Sequence, residues 1–384
     1  MDELANEAMM SEAGWGIWSD RGLLMSPDPY CDVPDMPDEI QDAARAIADW
    51  IADGEIRARL AAMPAADIPQ TDDVPILEAW YRVYAFLATA YVHTPNQPTA
   101  DHLPPSIAVP LTRVAARIDR PPILTYAGFT LNNWRRRNPA GDFTVENLDT
   151  ILRFTHFPDE TWFTLIHVAV EAQAACALEG MCRAGDAAEA DDAAEVESNL
   201  RAIARGLHGM TETFRRMPEG CSPDIYFDHV RPFFFGFNGV VFQGADDPAP
   251  RTLRGGTGAQ SSVVPALGTG LGIAHVQNAL TAHLIDMRQY MPKPHQAFID
   301  RMKSSPIREY ILANRDPALC DAYDSALLAL LEFRRTHFGF ARAYIFNKSP
   351  QAYGTGGTDF MDWLRRLADE TEAHLIAHAP AKTR

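Results

Sequence analysis

Leu331-Glu332-Phe333-Arg334-Arg335-Thr336-His337-Phe338-Gly339-Phe340 is the stretch on which the reading of this chain turns. Its apolar and charged residues recur at helical spacing, so it reads as part of a helix running from 317 to 346. Arg334 and His337 stand three residues apart and share a face of that helix. An imidazole on an apolar helical face binds a metal or a haem iron through a neutral ring nitrogen, and a cation beside it suits the propionates of a haem. The same residues also suit a hydrogen-bonded core histidine. The decapeptide by itself leaves both readings open.

Working outward, helical spacing dominates the chain. Segments at 38–64, 74–91, 145–154, 159–182, 196–217, 224–237, 263–288, 295–304, 306–313, 317–346 and 359–377 all predict helix, and 112–117 reads as a short amphipathic piece. Thr144 and Asp159 stand where N-caps belong. A proline-rich connection is expected over 95–110, and the Ala/Asp/Glu-rich 184–195 reads as a loop or a solvated helix end. Strand alternation is scarce. The fold class is therefore mainly α, with a small N-terminal domain and extended arm over 1–157 and a large all-helical domain over 158–384.

With 384 residues, 47% hydrophobic and 22% charged, the chain can enclose a cofactor in its core. A formal net charge of -17 argues against nucleic acid or anionic membrane as the main partner, since both require basic patches. The five cysteines, Cys31, Cys176, Cys182, Cys221 and Cys320, are odd in number and form no CxxC pair. That disfavours a disulfide framework or a structural zinc site. Met1 to Glu7 carries no basic region and no run of about 18 apolar residues occurs, so neither a signal peptide nor a membrane span is expected. The expected location is cytoplasmic.

Four further constellations bear on chemistry. The loop Arg254-Gly255-Gly256-Thr257-Gly258-Ala259-Gln260-Ser261-Ser262 leads into a helix and suits either an anion cradle or a tight turn with glycine at unusual dihedrals; no lysine follows, so it is not a nucleotide P-loop. Tyr353-Gly354-Thr355-Gly356-Gly357-Thr358-Asp359 suits a helix cap or a mobile lid. Phe163, His167 and Glu171 form one helical stripe, with His167 either an acid–base or hydrogen-bonding group or a core residue. Arg231 lies within Tyr226-Phe227-Asp228-His229-Val230-Arg231-Pro232-Phe233-Phe234-Phe235-Gly236-Phe237. A guanidinium among aromatics either grips a ligand carboxylate or pairs with an internal acid.

These pieces together resemble the indoleamine 2,3-dioxygenase family. The resemblance runs from about Pro121 to the C-terminus. It rests on Pro121-Pro122-Ile123-Leu124-Thr125-Tyr126-Ala127, the 254–262 loop, Asp286-Met287-Arg288-Gln289-Tyr290-Met291-Pro292, the Arg334–His337 segment and the Gly354–Asp359 loop, in the family's order and approximate spacing. It implies haem b (iron protoporphyrin IX), with His337 as proximal iron ligand and Arg334 against a propionate. Thr257 and Gly258 would run beside the haem. Tyr126, Phe163, Phe227 and Tyr226 would surround the substrate, Arg231 would engage its carboxylate, and Thr355 would close near its ammonium group.

The activity so implied is insertion of both atoms of O2 across the indole C2–C3 bond of L-tryptophan, or a close indole analogue, to give N-formylkynurenine, with an unidentified reductant as partner. A haem monooxygenase of secondary metabolism and a non-catalytic haem sensor would share these residues. Four positions depart from the family pattern. His167 stands where vertebrate members have serine, a distal histidine that is similar to the related tryptophan 2,3-dioxygenases. Phe129 and Phe234 replace smaller pocket residues, and Gly258 replaces alanine.

Overall fold

The computed structural model describes residues 14–276, 278–349, 354–355 and 360–376. It is mainly helical. The N-terminal helices are α1 (Asp38–Arg45), α2 (Ile47–Ala52), α3 (Ile56–Ala62), α4 (Val74–Val92) and α5 (Pro105–Arg117); α6 (Pro158–Gln173), α7 (Ala175–Glu189) and α8 (Ala193–Arg215) follow. Then come α9 (Val263–Gly270), α10 (Ala279–Arg288), α11 (Lys293–Met302), α12 (Ile307–Asn314), α13 (Pro317–Ala341) and α14 (Phe360–Glu372). Helix α8 is the axis of the larger half, packed against α6, α7 and α13, while α14 lies along α13.

Helix α13 starts where Asp316 accepts the N–H groups of Ala318 (2.8 Å) and Leu319 (3.2 Å), with Pro317 in the first turn. It runs to Ala341 and passes directly into a π-helical turn, Arg342–Phe346. Two more π turns occur, at Ala127–Leu131 and Tyr226–Val230. All three abut the same cavity, as wide turns often do at functional sites.

Several sequence expectations are corrected. The 145–154 segment is no helix: Val145–Asn147 makes a single 3-10 turn, and β3 (Leu148–Asp149) pairs antiparallel with β2 (Arg135–Arg136). The Asn147 side chain bonds Asn138 and the Asp142 carbonyl, closing a turn where a helix would have begun. The 159–182 segment is two helices joined at Ala174, and Pro158, not Asp159, opens the first. The Asp159 carboxylate instead accepts the Ser222 N–H at 2.6 Å. Residues 105–117 are helical through Pro110, beyond the expected 112–117. The aromatic run at 224–237 is a succession of short turns ending in β4 (Phe237–Phe242), and 263–288 is interrupted between α9 and α10.

Strand β4 joins β1 (His102–Leu103) in parallel and β5 (Arg251–Leu253) antiparallel. This small sheet therefore ties the first third of the chain to the last two thirds. One contiguous core extends from Ile17 to Leu375. The 32-residue stretch Pro158–Glu189 is apolar enough to resemble a membrane span, but 67% of its most apolar window is buried inside the fold, as suits a core helix pair. All five cysteines are free thiols.

Candidate functional site

A cavity of about 670 Å³ opens between α6, α8, α13, α14 and the 254–262 loop. Tyr126, Phe129, Phe163, His167, Tyr226, Phe234, Thr257, Gly258, Arg334, His337 and Thr355 all line it. Residues separated by more than two hundred positions are thus brought to one enclosure. Phe227 and Arg231 are not among its walls. Arg231 is buried beside it, with its guanidinium 5.4 Å from the Phe227 ring and 4.8 Å from the Phe235 ring. Of the 353–359 loop, Gly356–Asp359 and Tyr353 lie outside the described residues; Thr355 donates its hydroxyl to the Gly256 carbonyl at 2.7 Å.

On the α13 wall, no hydrogen bond among the described residues occupies the His337 ring. Burial, then the neighbouring His167, lowers its pKa to about 4, so a neutral imidazole faces the cavity. One turn earlier Arg334 is buried. Its Nη1 donates to the Leu367 carbonyl (2.6 Å) and to the Thr371 hydroxyl, both on α14, while its Nε has no partner among the described residues. Desolvation lowers the Arg334 pKa to about 10. A buried guanidinium with an unused N–H leaves a donor for an anionic ligand group.

On the α6 wall, His167 Nδ1 lies 2.7 Å from the Phe163 carbonyl, which fixes the ring and leaves Nε2 for the cavity. Burial lowers its pKa to about 4. Phe163 stacks obliquely on His167 (centroids 4.5 Å) and Tyr226 (4.6 Å), and Phe129 meets Phe234 at 4.5 Å. The two bulky departures therefore form one aromatic end wall. Phe214 of α8 sits between the histidines, 5.7 Å from the His167 ring and 6.0 Å from that of His337.

The glycine loop is shaped by close approach rather than by dihedrals, since none of its glycines has positive φ. A Cβ on Gly255 would stand 2.0 Å from the Phe234 carbonyl oxygen, and one on Gly256 would stand 2.6 Å from the Phe129 ring. Asp286 and Tyr290 hold the loop's start: Arg254 Nε donates to Asp286 at 3.1 Å and its N–H to the Tyr290 hydroxyl at 2.8 Å. Gln260 accepts the Tyr126 N–H at 2.9 Å, joining the loop to the first π turn.

Glu171, Phe214, Ser261 and His275 also line the cavity and were not singled out as site residues from the sequence, although Glu171 shares the His167 stripe. Glu171 Oε1 accepts from the Tyr126 hydroxyl (2.9 Å) and the Ser261 hydroxyl (2.6 Å); Oε2 is buried without a partner among the described residues. Burial raises its pKa to about 7.

The sequence profile of indoleamine 2,3-dioxygenase matches residues 11–374. Indoleamine 2,3-dioxygenase 1 of Rattus norvegicus is 28% identical over 377 residues, covering 91% of this chain and 92% of the rat protein. Indoleamine 2,3-dioxygenase acdA of Aspergillus candidus is 31% identical over 353 residues (84% and 86%), and 6-hydroxytryptophan 2,3-dioxygenase fscD of Fusarium equiseti is 30% identical over 363 residues (85% and 88%). With the match spanning nearly its full length, the chain belongs to the indoleamine 2,3-dioxygenase family.

Proposed function

We propose that this protein is a haem-dependent dioxygenase that cleaves the indole C2–C3 bond of L-tryptophan or a close indole analogue, giving N-formylkynurenine or its substituted counterpart. The observation that carries the haem reading is the pairing on α13. A neutral imidazole and a buried guanidinium N–H, neither with a hydrogen-bond partner among the described residues, face one aromatic cavity, one turn apart. Haem b fits these donors: His337 would hold the iron and Arg334 a propionate. Bound there, the haem supplies the oxygen chemistry.

The protein's share is binding and placement. Phe163, Tyr226, Phe129 and Phe234 enclose a flat apolar ring and exclude water from it. His167 Nε2 is left as an acceptor for the indole N–H. Its companion nitrogen is tied to Phe163, which sets the tautomer. Thr355, bonded to Gly256, brings the lid to the glycine loop. Arg231 is the candidate for the substrate carboxylate; in that role its guanidinium leaves the Phe227 and Phe235 rings and turns inward. The Fusarium relative's name specifies a hydroxylated indole, so ring substituents are part of the proposed substrate range. A cytoplasmic location and an unidentified reductant belong to the same proposal.

Anaerobic reduction of the haem-loaded protein, followed by L-tryptophan, O2 and mass spectrometry of the product, tests the reading. Gain of two oxygen atoms is expected. Gain of one would make the protein a monooxygenase, and a haem spectrum that responds to tryptophan without product would make it a sensor.

A further inference from the structure

His275 enters no step described so far. It sits between α9 and α10, half-buried, on the same cavity as Arg334. Its Nδ1 stands 2.5 Å from Oε2 of Glu370 on α14, the helix that also holds Arg334 through Leu367 and Thr371. With Nδ1–H donated to Glu370, Nε2 has no hydrogen-bond partner among the described residues. The charged groups facing His275 are Glu370, Arg334 and His374. His374 is committed elsewhere: its Nε2 accepts the Ala274 N–H at 3.0 Å, and its Nδ1 donates to the Glu370 carbonyl at 2.7 Å. The other cations on the cavity, Arg288 and Lys303, both pair with Asp300.

An imidazole bonded to a carboxylate through Nδ1 becomes a cation readily when a second carboxylate reaches Nε2, because both anions favour the imidazolium. A porphyrin of the haem type carries two carboxylates, and Arg334 accounts for one. We propose that His275, oriented by Glu370, is a second anchor for a carboxylate of the cofactor, and that it takes up a proton when the cofactor binds; this rests on the haem reading given above. Alone, His275 is opposed by its burial and by the Arg334 charge, with Glu370 acting the other way. The arriving carboxylate tips that balance. One helix, α14, would thus hold both anchors.

The test is the rate at which ferric haem leaves the loaded protein for excess apomyoglobin, at about pH 6 and about pH 8. Wild type should release haem more slowly at the lower pH. His275→Phe should release it about 10-fold faster at the lower pH, the loss of one charge-assisted bond, and should abolish the difference between the two conditions. Glu370→Gln keeps an acceptor for Nδ1 but removes the charge, should shift the rate in the same direction, and carries the test if the phenylalanine variant does not fold. Release from both variants at wild-type rates at both pH values overturns the proposal. Failure of the haem reading looks different: wild type shows no Soret band after haem is supplied, or His337→Ala gives the wild-type spectrum. Either of those results removes this proposal together with the reading beneath it.

Discussion

The two oxygens of the Glu171 carboxyl have unequal surroundings: one accepts two hydroxyls, and the other is buried with nothing to accept. Ionised, such a group would leave charge density unsolvated, which is why burial raises its pKa to about 7 from the ordinary carboxyl value of 4.5. The folded protein then holds a proton that the unfolded chain releases. Stability contributed by the neutral acid is complete below about pH 4.5 and is lost as pH rises toward 7. Glu171→Gln keeps an acceptor for Tyr126 and Ser261 and cannot ionise. It should flatten the stability profile across that window by on the order of 3 kcal/mol, read by urea unfolding at several pH values. Glu160, raised to about 7 by burial in the same way, leaves a second slope in place. An unaltered profile in the variant would mean that Glu171 is solvated. His167 behaves oppositely. Burial holds it neutral, so turnover should not titrate with it between about pH 5.5 and 8. His167→Ala should lower kcat by roughly 10- to 100-fold through loss of the acceptor for the indole N–H, and equal turnover would remove that role.

At the scale of elements, the glycine loop and the Phe234–Gly236 strand entry are two backbones in contact, and that contact is unforgiving at one position and open at another. Gly255→Ala would force its Cβ into the Phe234 carbonyl, which no rotamer change relieves, and should cost about 1–3 kcal/mol in thermal unfolding and distort the Phe234 wall. Gly258→Ala meets no atom within 4 Å and should melt as wild type does. Reversal of the two effects would mean that the loop lies elsewhere. The sequence announced this loop but offered its glycines only as an anion cradle or as a turn at unusual dihedrals, because a close approach to residues some twenty positions earlier leaves no local trace. Long helices such as α8 and α13 were legible because an apolar stripe at 3.6-residue spacing is a local signal. The 145–154 segment was not, because side chains decided it. Asn147 closes the turn, and the buried Glu160 carboxylate takes the Phe154 and Thr155 N–H groups at 2.7 Å each. His337, Arg334 and the aromatic run were legible in motif and order. Phe214 and the His275–Glu370 pair were not, since Phe214 reaches His337 and His275 reaches Glu370 only through tertiary packing across ninety or more residues.

For the whole molecule, we propose that the division near 157/158 separates roles more than it separates folding units. Tyr126 and Phe129, from the first part of the chain, form a wall of the cavity whose other walls come from the second. Phe154 is stacked between Phe86 (4.7 Å) and Phe233 (4.4 Å), so a first-part ring pair continues into a second-part ring. Strand β1 pairs with β4 across the same boundary, and β4 would lose that neighbour in a truncated chain. Cutting there exposes Phe233, Phe234, Phe237 and Phe242, all at or below 4% exposure in the intact fold. At about 25 cal/mol per Å² of apolar surface and 150–250 Å² per aromatic side chain, those four rings alone represent on the order of 15–25 kcal/mol of burial, an upper bound of which a truncated chain would forfeit a large part. A large part of that is comparable with the roughly 5–15 kcal/mol by which a domain is stable. Residues 158–384 expressed alone should therefore show helical circular dichroism without a cooperative melt, bind hydrophobic dyes, and fail to hold haem. A sharp thermal transition with haem bound in that fragment would instead make 157/158 a true folding boundary, with the N-terminal part serving only as one wall of the substrate pocket.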